Sequence, residues 1–178
     1  MVEFKYADET EVKVSQLMTP EYANFFGNVH GGEVLKFVDN MAYVCCARYS
    51  GKVCVTASFD RVDFIEPVHV GELLNLVARI VYVGKTSMQV EIDIYAEDLP
   101  TGNIRHTNSC HVTMVALVDG KPSPVPKLIC RNRADKARFI QARSRRELGF
   151  KYSEESALFR STYSEMDDDE LDKRMNEQ

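Results

Sequence analysis

The sequence predicts an α+β fold in which a curved antiparallel sheet wraps around one long central helix. Three observations support this prediction: one helical segment is apolar on nearly all sides, four strand-like segments follow it, and short turns join those strands. Short turns connect antiparallel neighbours, and a helix without a wide polar face must be buried. One sheet curved around that helix satisfies both demands.

The central helix is predicted over Gly31–Arg48. Its apolar side chains recur every three or four residues, which is the spacing of one helical face, and they include Val34, Val38, Met41 and Cys45. Gly51 follows at the position of a C-terminal cap. Before the helix, the partly alternating segment Val2–Val14 predicts a first strand, and Leu17–Asn28 predicts a loop.

The four strands after the helix are predicted over Val53–Ile65, Glu72–Val83, Met88–Tyr95 and Ile104–Val118. The third alternates strictly between apolar and polar side chains, which is the period of a half-buried strand. Proline and glycine close the four segments, at Glu66-Pro67, Gly84-Lys85, Leu99–Gly102 and Asp119–Pro122.

The C-terminal part of the chain predicts a second helix and a tail. Arg131–Leu148 has only a weak apolar stripe, which indicates a surface or inter-subunit helix. Glu165–Asp172 carries six acidic residues and no basic one, so we expect an acidic, mobile tail. The predicted domains are residues 1–128, which hold the sheet and the central helix, and residues 129–178, which form the helical extension.

The composition is that of an ordinary globular protein and excludes several classes of protein. Apolar residues make up 44% of the chain, and the net charge of −5 argues against a nucleic-acid surface. No segment has the length of a membrane span, and residues 1–16 lack the features of a signal peptide, so we expect a cytoplasmic protein without a membrane role. The five cysteines, odd in number and without metal-ligand spacing, predict free thiols and no metal site.

One carboxylate, Asp39, lies inside the apolar central helix beside its apolar stripe. One interpretation is a rim residue paired with Lys36 or with another subunit. The other is a partly desolvated carboxylate that acts as a general base or a nucleophile, because partial burial raises the pKa of an acid. Helical periodicity alone leaves both interpretations open.

The glycine pair Gly31-Gly32 stands at the start of the same helix. First-turn N–H groups are unpaired and lie at the positive end of the helix, so they suit an oxyanion or a polarised carbonyl oxygen. The alternative is a loop that needs positive φ. In the loop before the helix, Asn24 and Asn28 either position a water or a carbonyl group, or bond to their own loop.

His30 precedes the helix and suggests a general base, but a residue at this place also caps the helix or packs at an interface. No His–Ser–Asp or Cys–His set can be assembled from the spacing of the other residues. A nucleophilic triad is therefore not predicted.

Three stretches of the chain match one protein family in register: "MTPEYANFFGNVHGGEVLKFVDNMAYVCCARYSG", "SFDRVDFIEPVHVGELLNLVARIVYVGKTSMQVEIDIYAEDLPTG" and "HVTMVALVDGKPSPVP". They resemble the acyl-CoA thioesterases of the hotdog fold, and most closely the cytoplasmic, broad-specificity acyl-CoA hydrolase branch. The resemblance covers residues 15–126. It implies the architecture predicted above, subunits paired edge to edge, dimers assembled into trimers to give a hexamer, and active sites at the dimer interface.

The resemblance also implies roles for individual residues. Asp39 and Asn24 match the catalytic acid and amide of the family, and Gly31 and Gly32 match its oxyanion donors. His30 occupies a position that varies within the family, which argues against a catalytic role for it.

Coenzyme A needs cations for its phosphates, and the family likeness makes Lys85, in the turn Gly84–Ser87, the first candidate. Arg61 and Arg105 are further candidates, although surface cations are common. Val83, Gly84, Thr86 and Ser87 are the other expected substrate contacts near this turn. Coenzyme A enters as part of the substrate and product, so no separate cofactor is expected.

The leading functional hypothesis is hydrolysis of fatty acyl-CoA to a free fatty acid and coenzyme A. The first alternative is a hotdog dehydratase or hydratase, for which His30 and Asp39 are the only available pair. The second is an acyl-CoA-binding sensor without catalysis, which would retain the fold and have lost the acid; the presence of Asp39 argues against it.

Overall fold

The computed structural model describes residues 3–60 and 62–176. It confirms the predicted α+β architecture of a curved antiparallel sheet around one long helix. The elements in chain order are β1 (Phe4–Tyr6), β2 (Val12–Leu17), α1 (Gly31–Ser50), β3 (Val53–Phe59), β4 (Leu73–Val83), β5 (Ser87–Asp98), β6 (Asn103–Val118), β7 (Lys121–Pro122), β8 (Lys127–Ile129), α2 (Arg133–Ser164) and α3 (Asp168–Asn176). Short 3-10 turns span Ala7–Glu9 and Pro20–Tyr22.

The main sheet has the strand order β2-β4-β5-β6-β3, and every neighbouring pair is antiparallel. The short strand β7 pairs with β6 at Leu117 and Val118, on the side of β6 opposite β3 and beyond the start of β5. Strands β1 and β8 form a separate parallel pair. The strand that directly follows the central helix, β3, is therefore an edge strand of the main sheet.

Helix α1 packs its apolar side chains against the concave face of the sheet. Its residues Val38, Ala42 and Cys46 are fully buried, and so are alternate residues of β5 such as Val90 and Ile92. The helix runs two residues beyond the predicted Arg48, and Gly51 caps it as predicted: it adopts the left-handed conformation with φ 68°, and its N–H bonds the oxygen of Ala47. All five cysteines are free, as expected, and four of them are buried: Cys45, Cys46, Cys54 and Cys110.

The strand predicted over Val53–Ile65 is shorter than expected and ends at Phe59. Beyond it, the N–H of Asp60 bonds the oxygen of His111, and the N–H of Ile65 bonds the oxygen of Thr107. Five residues on this segment thus span the same stretch as four on β6. A regular ladder takes equal steps on both strands, so the pairing beyond Phe59 is irregular.

The strand predicted over Val2–Val14 begins at a residue outside the described part of the chain. Its described part is divided by the 3-10 turn Ala7–Glu9, so that β1 and β2 pair with different partners. The second helix is longer than the predicted Arg131–Leu148. It starts at Arg133 because the side chain of Asn132 accepts from the N–H of Asp135, and it continues to Ser164.

The chain divides into two compact units within α2, between Phe139 and Ile140. The second unit contains the rest of α2 and α3, whose first turn is capped by Asp167 accepting from the N–H of Glu170 at 2.9 Å. The division at residues 128 and 129 and the mobility of the acidic tail stay predictions. None of the helices in the described part of the chain is long and apolar enough to cross a membrane.

A row of charged side chains crosses the outer face of the sheet. Arg79 on β4 pairs with Glu91 on β5 at 3.1 Å and with Asp93 at 2.8 Å, and Nε2 of His111 on β6 lies 3.3 Å from Glu91. Burial alone would raise the pKa of Glu91. The hydrogen bonds and charges of His111 and Arg79 outweigh burial and hold that pKa at about 2.

This shift predicts a loss of stability in acid. Since the pKa of Glu91 is lower in the folded state than its ordinary value of 4.5, its stabilisation is complete above pH 4.5 and is lost as the pH falls towards 2. Denaturant unfolding of Glu91→Gln should show a shallower decline of the free energy of unfolding across this interval than the parent protein. An identical slope in both proteins would contradict the assignment.

Candidate active site

Asp39 is held at the edge of the sheet by a hydroxyl group. Oγ1 of Thr56, on the edge strand β3, donates to Oδ1 of Asp39 at 2.6 Å. Within the described part of the chain, the other carboxylate oxygen has no hydrogen-bond partner. Lys36 instead lies 3.5 Å from Glu33, so the predicted rim pair with Asp39 is not formed. The half-buried carboxylate thus has one oxygen fixed and one available to a ligand.

Thr56 reaches Asp39 because of the strand in which it lies. Cys54 is buried towards the helix, and Thr56, two residues later, shares that face. The register then slips, because Thr56 pairs with Met114 and Ser58 with Thr113, which leaves Ala57 as the extra residue of a bulge. Bulges redirect side chains next to functional sites. Thr56 is not among the site residues predicted from the sequence; the signal available for it was its two-residue spacing from Cys54.

The loop before α1 fixes the orientation of Asn24. Its Oδ1 accepts from the N–H groups of Phe26 at 2.9 Å and Asn28 at 3.2 Å. Asn28 is anchored in turn by Nδ1 of His69, 2.8 Å from its Oδ1. The side-chain oxygen of Asn24 is therefore occupied by hydrogen bonds within its own loop. Its Nδ2 has no hydrogen-bond partner among residues 3–60 and 62–176 and is oriented as a donor.

The start of α1 is capped by His30, whose Nδ1 accepts from the N–H of Gly32 at 3.0 Å. Nδ1 must therefore be unprotonated, and the N–H of Gly32 is already bonded. At Gly31, an added Cβ would lie 3.2 Å from the ring of Phe64. Glycine thus allows an aromatic ring to approach the first turn closely.

The helix start and Asp39 are far apart within one chain. Eight residues separate Gly31 from Asp39, which corresponds to about 12 Å along the helix axis. A carbonyl oxygen in contact with the N–H of Gly31 therefore lies too far from the carboxylate of the same helix for Asp39 to act on its carbonyl carbon. The predicted site residues form two separate groups in each chain, one around Asp39 and one around Gly31 and Asn24.

The predicted substrate turn lies across the sheet from the edge strand. An added Cβ at Gly84 would be 2.9 Å from Oγ of Ser87, so a larger residue there would displace the Ser87 side chain, and Val83 pairs with Met88 at the base of the turn. The main-chain oxygens of Lys85 and Thr86 accept hydrogen bonds, while the side chain of Lys85 is exposed. Ser87 shares a row of the sheet with Val115 and Val55. Two strand spacings, about 10 Å, separate it from β3.

Arg105 lies at the opposite end of the sheet. Ten residues of β6 separate it from Val115, which is about 33 Å. Its guanidinium bonds Glu66 and Glu72, each at 2.6 Å, and these carboxylates raise the pKa of Arg105. In one chain, Lys85 and Arg105 cannot contact the same coenzyme A phosphates.

Arg61 lies outside the described residues. Among those described, no cluster of three or more histidine, cysteine or acidic side chains has the arrangement of a metal site.

Comparison with known proteins places the chain in a family. The profile of the thioesterase superfamily matches residues 26–102. Protein VdlD of Helicobacter pylori is 46% identical over 142 residues, which cover 80% of this chain and 82% of that protein. The chain belongs to the thioesterase superfamily. This thioesterase is also 31% identical to the uncharacterized acyl-CoA thioester hydrolase YkhA of Bacillus subtilis, over 71% of its own length and 74% of that protein.

Solved structures agree with this assignment. A hexameric acyl-CoA thioesterase superposes on the thioesterase with a TM-score of 0.82 at 30% identity, covering 85% of this chain and 98% of that one. An acyl-CoA hydrolase from Staphylococcus aureus, solved with butyryl coenzyme A and coenzyme A, gives a TM-score of 0.81 at 28% identity over 91% and 99% of the two chains. The predictions of a hotdog fold, of the acyl-CoA thioesterase family and of a hydrolase are confirmed.

The same S. aureus hydrolase has been solved with single alanine substitutions at an asparagine, an aspartate and a threonine. In chain order those positions are separated by 15 and 17 residues. The same separations lie between Asn24, Asp39 and Thr56 of the thioesterase. By this spacing, Thr56, whose hydroxyl bonds Asp39 in the structure, corresponds to the substituted threonine of that hydrolase.

The Asp39–Thr56 bond generates a test in two variants. Thr56→Val keeps the shape of the side chain but removes the donor, so kcat for thioester hydrolysis should fall about 10- to 100-fold, the value of a hydrogen bond to a charged group. Thr56→Ser retains the hydroxyl and should keep most of kcat. Parent-like kcat in Thr56→Val would show that the hydroxyl does not position the carboxylate.

Proposed function

We propose that this thioesterase hydrolyses fatty acyl-CoA to a free fatty acid and coenzyme A, at sites that each require two chains. The observation that carries the proposal is the position of Asp39. It is an acid with one fixed and one available oxygen, on a buried helix, directly beneath an edge strand. Family membership supplies the thioester chemistry, and this carboxylate supplies the base or nucleophile.

The free edge of β3 supports a dimer. Among the strands of the described residues, β3 bonds only to β6. Its apolar side chains Val53, Val55 and Phe59 are 61, 43 and 39% exposed. An unpaired, apolar strand edge is a template for a second strand. Pairing of two β3 edges across a twofold axis would continue the sheet between subunits and bring each Asp39 next to the partner.

Two chains also resolve the separation within α1. The helix start of one chain is about 12 Å from its own Asp39. In the dimer, the helix start and Asn24 of one chain would meet Asp39 and Thr56 of the other. Each dimer then has two complete sites, and neither chain has a complete site alone.

The reaction follows from these groups. The thioester carbonyl oxygen accepts from the N–H of Gly31, and also from Gly32 once the ring of His30 releases that donor; such donors contribute about 3–4 kcal/mol. In one route, the free oxygen of Asp39 removes a proton from water, and the oxygen of that water attacks the carbonyl carbon. In the other route, the free oxygen of Asp39 itself attacks the carbonyl carbon and forms an anhydride, which water then opens. Nδ2 of Asn24 orients the water or the carbonyl. The C–S bond breaks and coenzyme A leaves as a thiolate, which takes up the proton.

The substrate runs from this centre to the Gly84–Ser87 turn. The exposed ammonium of Lys85 binds phosphate, and Val83, Gly84, Thr86 and Ser87 supply backbone and hydroxyl contacts. Arg61 and Arg105 are proposed as further phosphate ligands. Within one chain, Lys85 and Arg105 would contribute to two different active sites. A hydrolase of similar structure binds butyryl coenzyme A.

Because an acyl-CoA thioesterase of similar structure is hexameric, we extend the dimer to a trimer of dimers. We assign the enzyme to the cytoplasm, as its cytosolic relatives are named.

The dehydratase alternative receives no support from the geometry. It needs His30 as a base, and while that ring caps α1 its Nδ1 accepts from the N–H of Gly32. No separate observation favours a sensor without catalysis.

Release of free thiol from acyl-CoA of graded chain length tests the function. The parent protein should release thiol from fatty acyl-CoA, and Asp39→Asn should lower kcat at least about 100-fold, since the carboxamide cannot accept a proton. Asp119→Asn is the matched control, because it makes the same change in an exposed turn whose φ of 50° suits asparagine. Robust turnover by Asp39→Asn would refute the role of the carboxylate.

Mixing two inactive variants tests the two-chain site. Asn24→Asp keeps the oxygen that holds the loop but removes the amide donor, and Asp39→Asn removes the base. Co-expressed with different tags and purified as mixed dimers, they should regain up to about half of the parent rate, because one site per dimer is then intact. Recovery of no activity in the mixed dimer would place Asn24 and Asp39 of one chain in the same site.

A further inference from the structure

The second half of α2 carries an apolar stripe that is exposed to solvent. Four large side chains form it and are 45 to 74% exposed: Leu148, Tyr152, Phe159 and Tyr163. At 3.6 residues per turn they fall within about 60° of one another around the helix. The rings of Phe159 and Tyr163 stack with centroids 6.2 Å apart. A stripe of this kind along one helix face indicates a packing partner.

The stripe is symmetric about a point between Glu155 and Ser156. Leu148 and Tyr152 precede this midpoint at the same intervals at which Tyr163 and Phe159 follow it. If a second copy of the helix crosses at the midpoint in the opposite direction, Tyr152 meets the partner's Phe159 and Leu148 meets the partner's Tyr163. A surface that matches itself in this way is the requirement of a twofold interface.

The charges at the two ends of the stripe select the same orientation. Three arginines precede it, at Arg143, Arg145 and Arg146, and an acidic segment follows it, at Glu165 and Asp167–Asp169. In an antiparallel pair, the basic end of each helix lies beside the acidic segment of the other. In a parallel pair, like charges would face each other, which disfavours that arrangement.

We propose that residues 148–163 of α2 pair antiparallel with the same residues of a second copy of the chain. The apolar spacing and the order of charges are both self-complementary, so the partner is this chain and not an unrelated helix. The interface is separate from the edge of β3. An enzyme that uses both contacts has two different ways to join its subunits.

Two adjacent glutamates allow a matched cross-linking test. Glu155 borders the stripe near the twofold axis, whereas Glu154 lies on the other side of the helix, and both are exposed. In a Cys130→Ser background, the full chain carrying Glu155→Cys should give at least about fivefold more covalent dimer with a short bismaleimide than the chain carrying Glu154→Cys. Equal yields from both variants, or no dimer from Glu155→Cys, would overturn the proposal; a stripe seated on a different surface of another subunit gives the second result.

A third substitution ties the cross-link to the stripe. Phe159→Lys, added to Glu155→Cys, places a charge in the apolar contact and should reduce the covalent dimer about fivefold or more, while Ser153→Lys outside the stripe should not. Circular dichroism of both proteins checks that the helix content is retained. Undiminished cross-linking in the Phe159→Lys protein would show that the stripe does not form the interface.

Discussion

The constraint on which the rest of the structure depends is the apolar surface of α1. A helix with fully buried residues such as Val38, Ala42 and Cys46 cannot face water, so the sheet must curve over it. Any carboxylate within such a helix needs a partner to offset its lost hydration. The covering strand supplies that partner to Asp39 as the hydroxyl of Thr56. Burial of the helix and orientation of the acid are therefore one structural requirement.

The order of the strands decides where this acid becomes accessible. Because β3 follows α1 directly and pairs only with β6 among the described strands, the acid lies beneath an edge and not beneath the centre of the sheet. A central strand would have enclosed Asp39 on both sides. An edge strand leaves one side open to another chain, and the same edge then serves both assembly and chemistry in the proposed dimer.

The sequence predicts what depends on local periodicity and on chain punctuation. Helix α1, the strands β4 to β6 and the cap at Gly51 follow from apolar spacing and from glycine, and Asp39 is noticeable because it interrupts an apolar pattern. Thr56 is not predictable in this way, because its contact depends on the strand order and on the bulge at Ala57, which are set by residues far apart in the chain.

Other differences have the same origin. The early end of β3 reflects unequal steps against β6, which no pattern within the strand reveals. The bonding of the N–H of Gly32 to His30 depends on a side-chain rotamer at the cap. The predicted end of α2 at Leu148 falls short of Ser164 because most residues of the second half are polar, and none of those described there is buried.

The buried cysteines have a consequence for the proposed release of coenzyme A. Burial raises the pKa of Cys45 and of Cys110 to about 12, and it raises that of Cys46 as well. Thiol–disulfide exchange requires a thiolate that a disulfide can reach. The thiols packed around α1 meet neither condition, so coenzyme A disulfide formed near the enzyme cannot readily capture them. The core of this thioesterase is thereby shielded from the redox chemistry of its proposed product.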